Sequence, residues 1–124
     1  MTSADPLVAI VDDDPGVCRA MARLVRSLGF EVRVYASGEA LVADLAAAPP
    51  DRVLLDLHLP GLRGPELIAA LAARGVAPSR IVVMTGLDRP GAREACLHAG
   101  VAGYATKPVP LADIERFLGA RGGM

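Results

Sequence analysis

Short apolar runs without polar alternation recur along this chain, and each ends on side chains that can do chemistry. Leu7–Val11 runs into Asp12-Asp13-Asp14, residues 53–55 into Asp56, residues 81–84 into Thr85, and residues 101–105 into Thr106-Lys107-Pro108. Runs of this length and evenness are what parallel strands buried on both faces require. A weaker run at 30–35, with Val32 and Val34 on one side, supplies a fifth strand.

The segments between these runs carry helical spacing. Val17, Met21, Leu24 and Leu28 recur every three or four residues, which predicts a buried stripe on a helix over about residues 15–28. Ser37 is a candidate N-cap for a second helix through Leu41 and Leu45, stopped by Pro49-Pro50. The loop Leu59-Pro60-Gly61-Leu62-Arg63-Gly64 leads to a third helix opened by Pro65, with Leu67, Ile68 and Leu71 inward as far as Gly75. Asp88 and Pro90 open a fourth, closed by Gly100, whose inward candidates Ala92, Ala95, Cys96 and Ala99 are all small. With little apolar area to fix it, this helix is expected to shift most easily. Pro110 opens a fifth, with Leu111, Ile114 and Leu118 on one face.

Five strands alternating with five helices predict an α/β fold, a parallel sheet covered on both faces through right-handed crossovers. In such sheets the ligand site lies beyond the carboxyl ends of the strands. Asp12, Asp13, Asp56, Thr85 and Lys107 all sit at those ends and are expected to converge.

At 124 residues one domain spanning 1–124 is expected, with no output domain after the last helix. Apolar residues make up 52% but aromatics only 3%, so the core must be aliphatic. A net charge of −1 with interspersed signs offers no basic footprint for nucleic acid. No apolar stretch approaches the ~20 residues of a membrane span and the start lacks a basic leader, so a cytoplasmic location without membrane contact is expected. Cys18 and Cys96 are isolated and read as reduced, partly buried thiols; His58 and His98 are not at zinc-ligand spacing.

Lys107 is the only lysine, among twelve arginines. A position that keeps an ammonium where the rest of the chain uses guanidinium suits a compact charge facing a phosphoryl or carboxylate group. Three carboxylates gathered together repel unless a cation compensates, and an all-oxygen, sparse donor set fits Mg²⁺ with retained waters. Carboxylate, Mg²⁺, hydroxyl and ammonium are the parts needed to move a phosphoryl group onto a carboxylate. Asp56, alone at the end of a central run, is the natural nucleophile.

The segments Val11-Asp12-Asp13-Asp14, Leu55-Asp56-Leu57-His58-Leu59-Pro60-Gly61, Met84-Thr85-Gly86 and Gly103-Tyr104-Ala105-Thr106-Lys107-Pro108 together resemble the response-regulator receiver domain of two-component signalling, over essentially the whole chain. The resemblance, closest in kind to chemotaxis regulators, implies a flavodoxin-like (βα)5 fold with strand order 2-1-3-4-5. It implies that a histidine kinase or histidine phosphotransfer protein gives its phosphoryl group to Asp56. Asp13, Asp56 and the backbone carbonyl of His58 are implied as Mg²⁺ ligands, with Asp12 acting through water. Thr85 and Lys107 are implied to contact phosphoryl oxygens, and Tyr104 to be the ring that moves inward when Thr85 is drawn to the phosphate. A cis peptide bond between Lys107 and Pro108 is also implied, and a downstream protein target would read the face of helix 4, strand 5 and helix 5. Dimerisation through helices 4 and 5 is left open.

Blander roles belong to several of these residues. Asp14 is expected to cap the first helix or face solvent, and Arg19, Arg23 and Arg26 read as a solvated face. The stripe Cys18, Ala22 and Val25 runs beside the expected core stripe and, with Pro108, is expected to help dock the partner. Such a domain is not an enzyme in the turnover sense, since it acts only on its own phosphorylation. Two alternatives compete with it: a phosphorylation-independent interaction module, and an aspartate-nucleophile phosphatase, which wants an acid where His58 stands. A nucleotide-binding turn is disfavoured by the acidic Asp12-Asp13-Asp14-Pro15-Gly16.

Overall fold

Among the residues described by the computed structural model (6–45, 49–56, 64–86 and 90–119), the strands are β1 (Leu7–Val11), β2 (Glu31–Tyr35), β3 (Arg52–Asp56), β4 (Ile81–Thr85) and β5 (Gly103–Thr106). The helices are α1 (Pro15–Ser27), α2 (Gly38–Asp44), α3 (Gly64–Ala73), α4 (Ala92–His98) and α5 (Leu111–Leu118). A single 3₁₀ turn, Pro78–Arg80, which the sequence reading did not foresee, leads into β4. All strand pairs are parallel, in the order β2-β1-β3-β4-β5. This is the flavodoxin-like arrangement expected.

Alternation along the central strands divides the core between two faces. Val8, Ile10, Leu54, Val82 and Met84 point to the side covered by α1 and α5. Ala9, Val11, Val53, Leu55, Ile81 and Val83 point to the side covered by α2, α3 and α4, where Leu41, Leu67, Ile68, Leu71 and Cys96 meet them. With both faces covered, nothing in β1, β3 or β4 needs to alternate with polar residues, which is why they read as continuous apolar runs.

Caps fix where two helices start. The Asp14 side chain accepts from the amides of Gly16 (2.8 Å) and Val17 (3.3 Å), and the Ser37 hydroxyl accepts from the Ala40 amide (3.1 Å). Asp14 is therefore the cap of α1.

The face of α1 differs from the expectation. Cys18, Ala22 and Val25 are the buried residues, at 5%, 3% and 0% exposure, while Met21, Leu24 and Leu28 flank them half-buried. Small side chains let the helix approach the sheet closely, and the larger ones then fill the margins. Cys18, Ala22 and Val25 are thus core residues, and their burial leaves too little of these side chains exposed to form the expected docking stripe. Leu111 is likewise exposed in the first turn of α5 although Ile114 and Leu118 are buried, and Ala95 of α4 faces solvent. Asp88 and residues 57–63 lie outside the described residues.

Candidate functional site

Strand register brings the site residues together step by step. Val11 of β1 lies beside Leu55 of β3, so Asp12 and Asp56, one residue further on, emerge as neighbours. Asp56 lies beside Met84, putting Thr85 one step beyond it, and Thr85 lies beside Thr106, putting Lys107 one step beyond that. The carboxyl edge of the sheet therefore carries Asp12, Asp56, Thr85 and Lys107 in spatial order. The amide of Lys107 donates to the carbonyl of Thr85 at 2.7 Å, which holds the lysine against this edge.

Asp12, Asp56 and Thr85 are the buried polar side chains among the described residues, whereas Asp13 is exposed. Carboxylate oxygens of Asp12, Asp13 and Asp56 lie within 4.8 Å of one another, close enough for one cation to touch all three. Hard oxygen donors with no nitrogen or sulfur among them suit Mg²⁺. The Lys107 ammonium stands 2.6 Å from Asp12 Oδ2 and 3.7 Å from Asp56 Oδ2. One ammonium set against three carboxylates leaves the cluster acidic, which favours a divalent cation at its open side, next to Asp13.

Asp12 is held from several directions. Its amide donates to the Tyr35 carbonyl at 3.0 Å, its Oδ1 accepts from the Asp14 amide at 3.0 Å, and its main-chain carbonyl accepts from Cys18 Sγ at 3.2 Å. The Cys18 thiol was not foreseen as part of this frame, and a six-residue separation gives no sequence signal for it. Burial, then the charges of Asp12 and Asp14, push its pKa up, so the thiol stays protonated and can donate.

Tyr104 is buried at 6% exposure in the core on the α4 side, and the Arg93 guanidinium lies 5.8 Å from its ring centroid. Pro108 is exposed and follows a cis peptide bond with Lys107. His58 falls outside the described residues.

The chain matches known proteins in the same terms. The sequence pattern of the family described as "Response regulator receiver domain" matches residues 8–118. The "Sensory transduction protein RegX3" of Mycobacterium tuberculosis is 37% identical over 101 residues, covering 82% of this chain and 44% of that protein. The "Transcriptional regulatory protein PrrA" of Mycobacterium leprae is 32% identical over 111 residues, covering 90% and 47%. The chain thus spans less than half the length of these curated relatives. Among solved structures, a CheY-like receiver domain protein from Methanospirillum hungatei superposes with a TM-score of 0.80 at 25% identity, covering 91% of this chain and 90% of that one.

Proposed function

Because the chain belongs to the response regulator receiver domain family, we propose that Asp56 is the phosphoacceptor of a signalling domain that occupies the chain as a single unit and resides in the cytosol. The observation that carries this reading is the position of Asp56, at the end of the middle strand, between Asp12 on the β1 side and Thr85 on the β4 side, with the Lys107 ammonium, from beyond β5, within 3.7 Å of it.

The donor is a phosphohistidine of a histidine kinase or histidine phosphotransfer protein. Its P–N bond breaks as an Asp56 carboxylate oxygen forms the new P–O bond, and the departing imidazole keeps the electron pair. Asp13 and Asp56, with the His58 carbonyl, would hold Mg²⁺ directly, and Asp12 through water; when bound, the cation neutralises charge on the phosphoryl oxygens. Lys107, already 3.7 Å from Asp56, supplies the remaining positive charge. The Thr85 hydroxyl donates to a phosphoryl oxygen once the group is in place. Tyr104 is already inward, at 6% exposure, so drawing Thr85 toward the phosphate would change the packing around a ring already in place, and a downstream protein reads the resulting change in the face formed by α4, β5 and α5. The domain is consumed and regenerated in this cycle rather than acting as a turnover enzyme.

Intact-mass spectrometry with acetyl phosphate, with and without Mg²⁺, tests the proposal. The expected result is one Mg²⁺-dependent phosphoryl adduct that is absent in Asp56→Ala. An adduct retained in the variant would overturn the assignment of Asp56. No adduct in the wild type from acetyl phosphate or from phosphorylated kinase would favour a phosphorylation-independent interaction module.

A further inference from the structure

On one side the sheet ends at β2, and among the described residues no strand pairs with its outer edge. The Glu31 amide donates to the Pro6 carbonyl at 3.0 Å, and the Tyr35 carbonyl accepts from the Asp12 amide at 3.0 Å, so the main chain of residues 31, 33 and 35 bonds inward to β1. Alternation then turns the N–H and C=O groups of Val32 and Val34 outward. An edge of this kind is a template for another strand, and Glu31-Val32-Arg33-Val34-Tyr35 holds neither the proline nor the lysine that commonly blunts one.

The side chains of this edge are unsatisfied in a specific way. Val34 is 44% exposed, because α1 stands back from it across a groove of about 700 Å³ that Val34, Ala36 and Ala22 help to line. Glu31 is exposed and has no cationic partner among the described residues. Arg33 is exposed too and uses one nitrogen, Nη1, on Asp44 at 3.3 Å, which leaves the rest of its fork open.

These charges, opposite in sign and two residues apart, fit the same strand of a second copy run antiparallel. Residues whose main chain faces outward must stand opposite one another, so a two-fold axis passes at a residue and not between two. Centred on Glu31 or on Arg33, the pairing puts like charges directly opposite; centred on Val34, it leaves Glu31 beyond the end of the partner's strand. Centred on Val32, it sets Glu31 opposite the partner's Arg33 and Arg33 opposite the partner's Glu31. Val34 then meets the partner's Phe30 on the α1 face.

We propose that β2 pairs with β2 of a second copy across a two-fold axis at Val32, joining the two sheets into one. The carboxyl edges of the two sheets then point in opposite directions, so Asp56 of each copy stays open and the α4, β5 and α5 faces lie at the far ends. This association does not depend on the phosphoacceptor reading of Asp56, and it differs from pairing through helices 4 and 5.

Sedimentation equilibrium of the chain over about 0.05 to 1 mM tests the proposal, with Glu31→Arg, Arg33→Glu and an equimolar mixture of the two variants alongside. The wild type is expected to associate over this range. Each variant alone sets like charges opposite and should dimerise at least tenfold more weakly. The mixture should recover to within about threefold of the wild type, because one variant then presents two acids to two arginines on the other. Both side chains are exposed, so the variants keep the fold, which circular dichroism checks. Amide shifts on dilution of the wild type should centre on residues 31–35. A monomer at about 1 mM, variants that dimerise like the wild type, a mixture no stronger than its components, or shifts centred on α4 and α5 would overturn the proposal.

Discussion

Lys107 Nζ lies 2.6 Å from Asp12 Oδ2, across a separation of 95 positions in the chain, and only 3.7 Å from Asp56 Oδ2. The ammonium therefore sits nearer the acid that flanks the acceptor than the acceptor itself. A divalent cation arriving at the three carboxylates shares Asp12 with this lysine, so the two positive charges are partial substitutes for one another.

Replacing Lys107 with methionine keeps the stem but removes the charge. Asp12 is 4% exposed and then loses its charged partner, which is expected to lower stability by about 1–3 kcal/mol without divalent cations. Added Mg²⁺ should raise the melting temperature more in Lys107→Met than in the wild type, because the cation replaces the missing charge. Thermal melts with and without Mg²⁺ decide this, and equal Mg²⁺ shifts in both proteins would show that the ammonium and the cation do not substitute for one another.

The carboxyl-edge residues were legible in the sequence because buried parallel strands announce themselves as apolar runs, and the residue after each run must sit at the sheet edge. Asp12, Asp56, Thr85 and Lys107 all followed from that rule. The face of α1 did not. Its two apolar stripes, Val17-Met21-Leu24-Leu28 and Cys18-Ala22-Val25, lie about 100° apart, and side-chain size favoured the first. Which stripe faces the sheet is decided by how close the helix can approach, a tertiary quantity in which alanine outweighs leucine. The arginine row Arg19, Arg23 and Arg26, read as a solvated face from its charge and spacing, is exposed at all three positions. The loop with His58 stays an expectation.

The sequence reading made α4 the most easily shifted helix, and its construction supports a measurable form of that. Among its seven residues only Cys96 is buried, and its N-cap is Gly91, at φ 82°, with no side-chain cap bond. In contrast, α1 has 13 residues, buries three and is capped by Asp14. Amide hydrogen exchange is expected to be faster in α4 than in α1 by at least tenfold at its central residues. Equal protection would mean that packing against β5 and α3 fixes α4 as firmly as burial fixes α1.

Gly38 marks a close approach of two helices. A Cβ there would lie 2.6 and 2.8 Å from the two methyls of Leu67, which is fully buried, so either the leucine or the helices must shift to admit it. Gly38→Ala is therefore expected to destabilise by about 1–3 kcal/mol despite the better helix propensity of alanine. Coupling checks the cause: in Gly38→Ala/Leu67→Ala the combined loss, read from urea unfolding, should be smaller than the sum of the single losses. A strictly additive result would place the strain elsewhere.

Both thiols favour a specific direction of pH dependence. Burial raises the pKa of Cys96, and burial together with Asp12 and Asp14 raises that of Cys18, above the ordinary 9.0. The folded state thus keeps these protons where the unfolded chain has released them. Their contribution to stability is complete below pH 9.0 and falls as pH rises toward the folded-state values, by up to about 1.4 kcal/mol per pH unit for each thiol in that window. Tyr35, its pKa raised by burial and by donating to Asp44 at 2.6 Å, adds in the same direction at higher pH. Urea midpoints at about pH 8 and pH 10 should therefore differ more in the wild type than in Cys96→Ala, although the variant is less stable at both. A pH slope unchanged by removing Cys96 would show that its thiol titrates alike in the folded and unfolded chain.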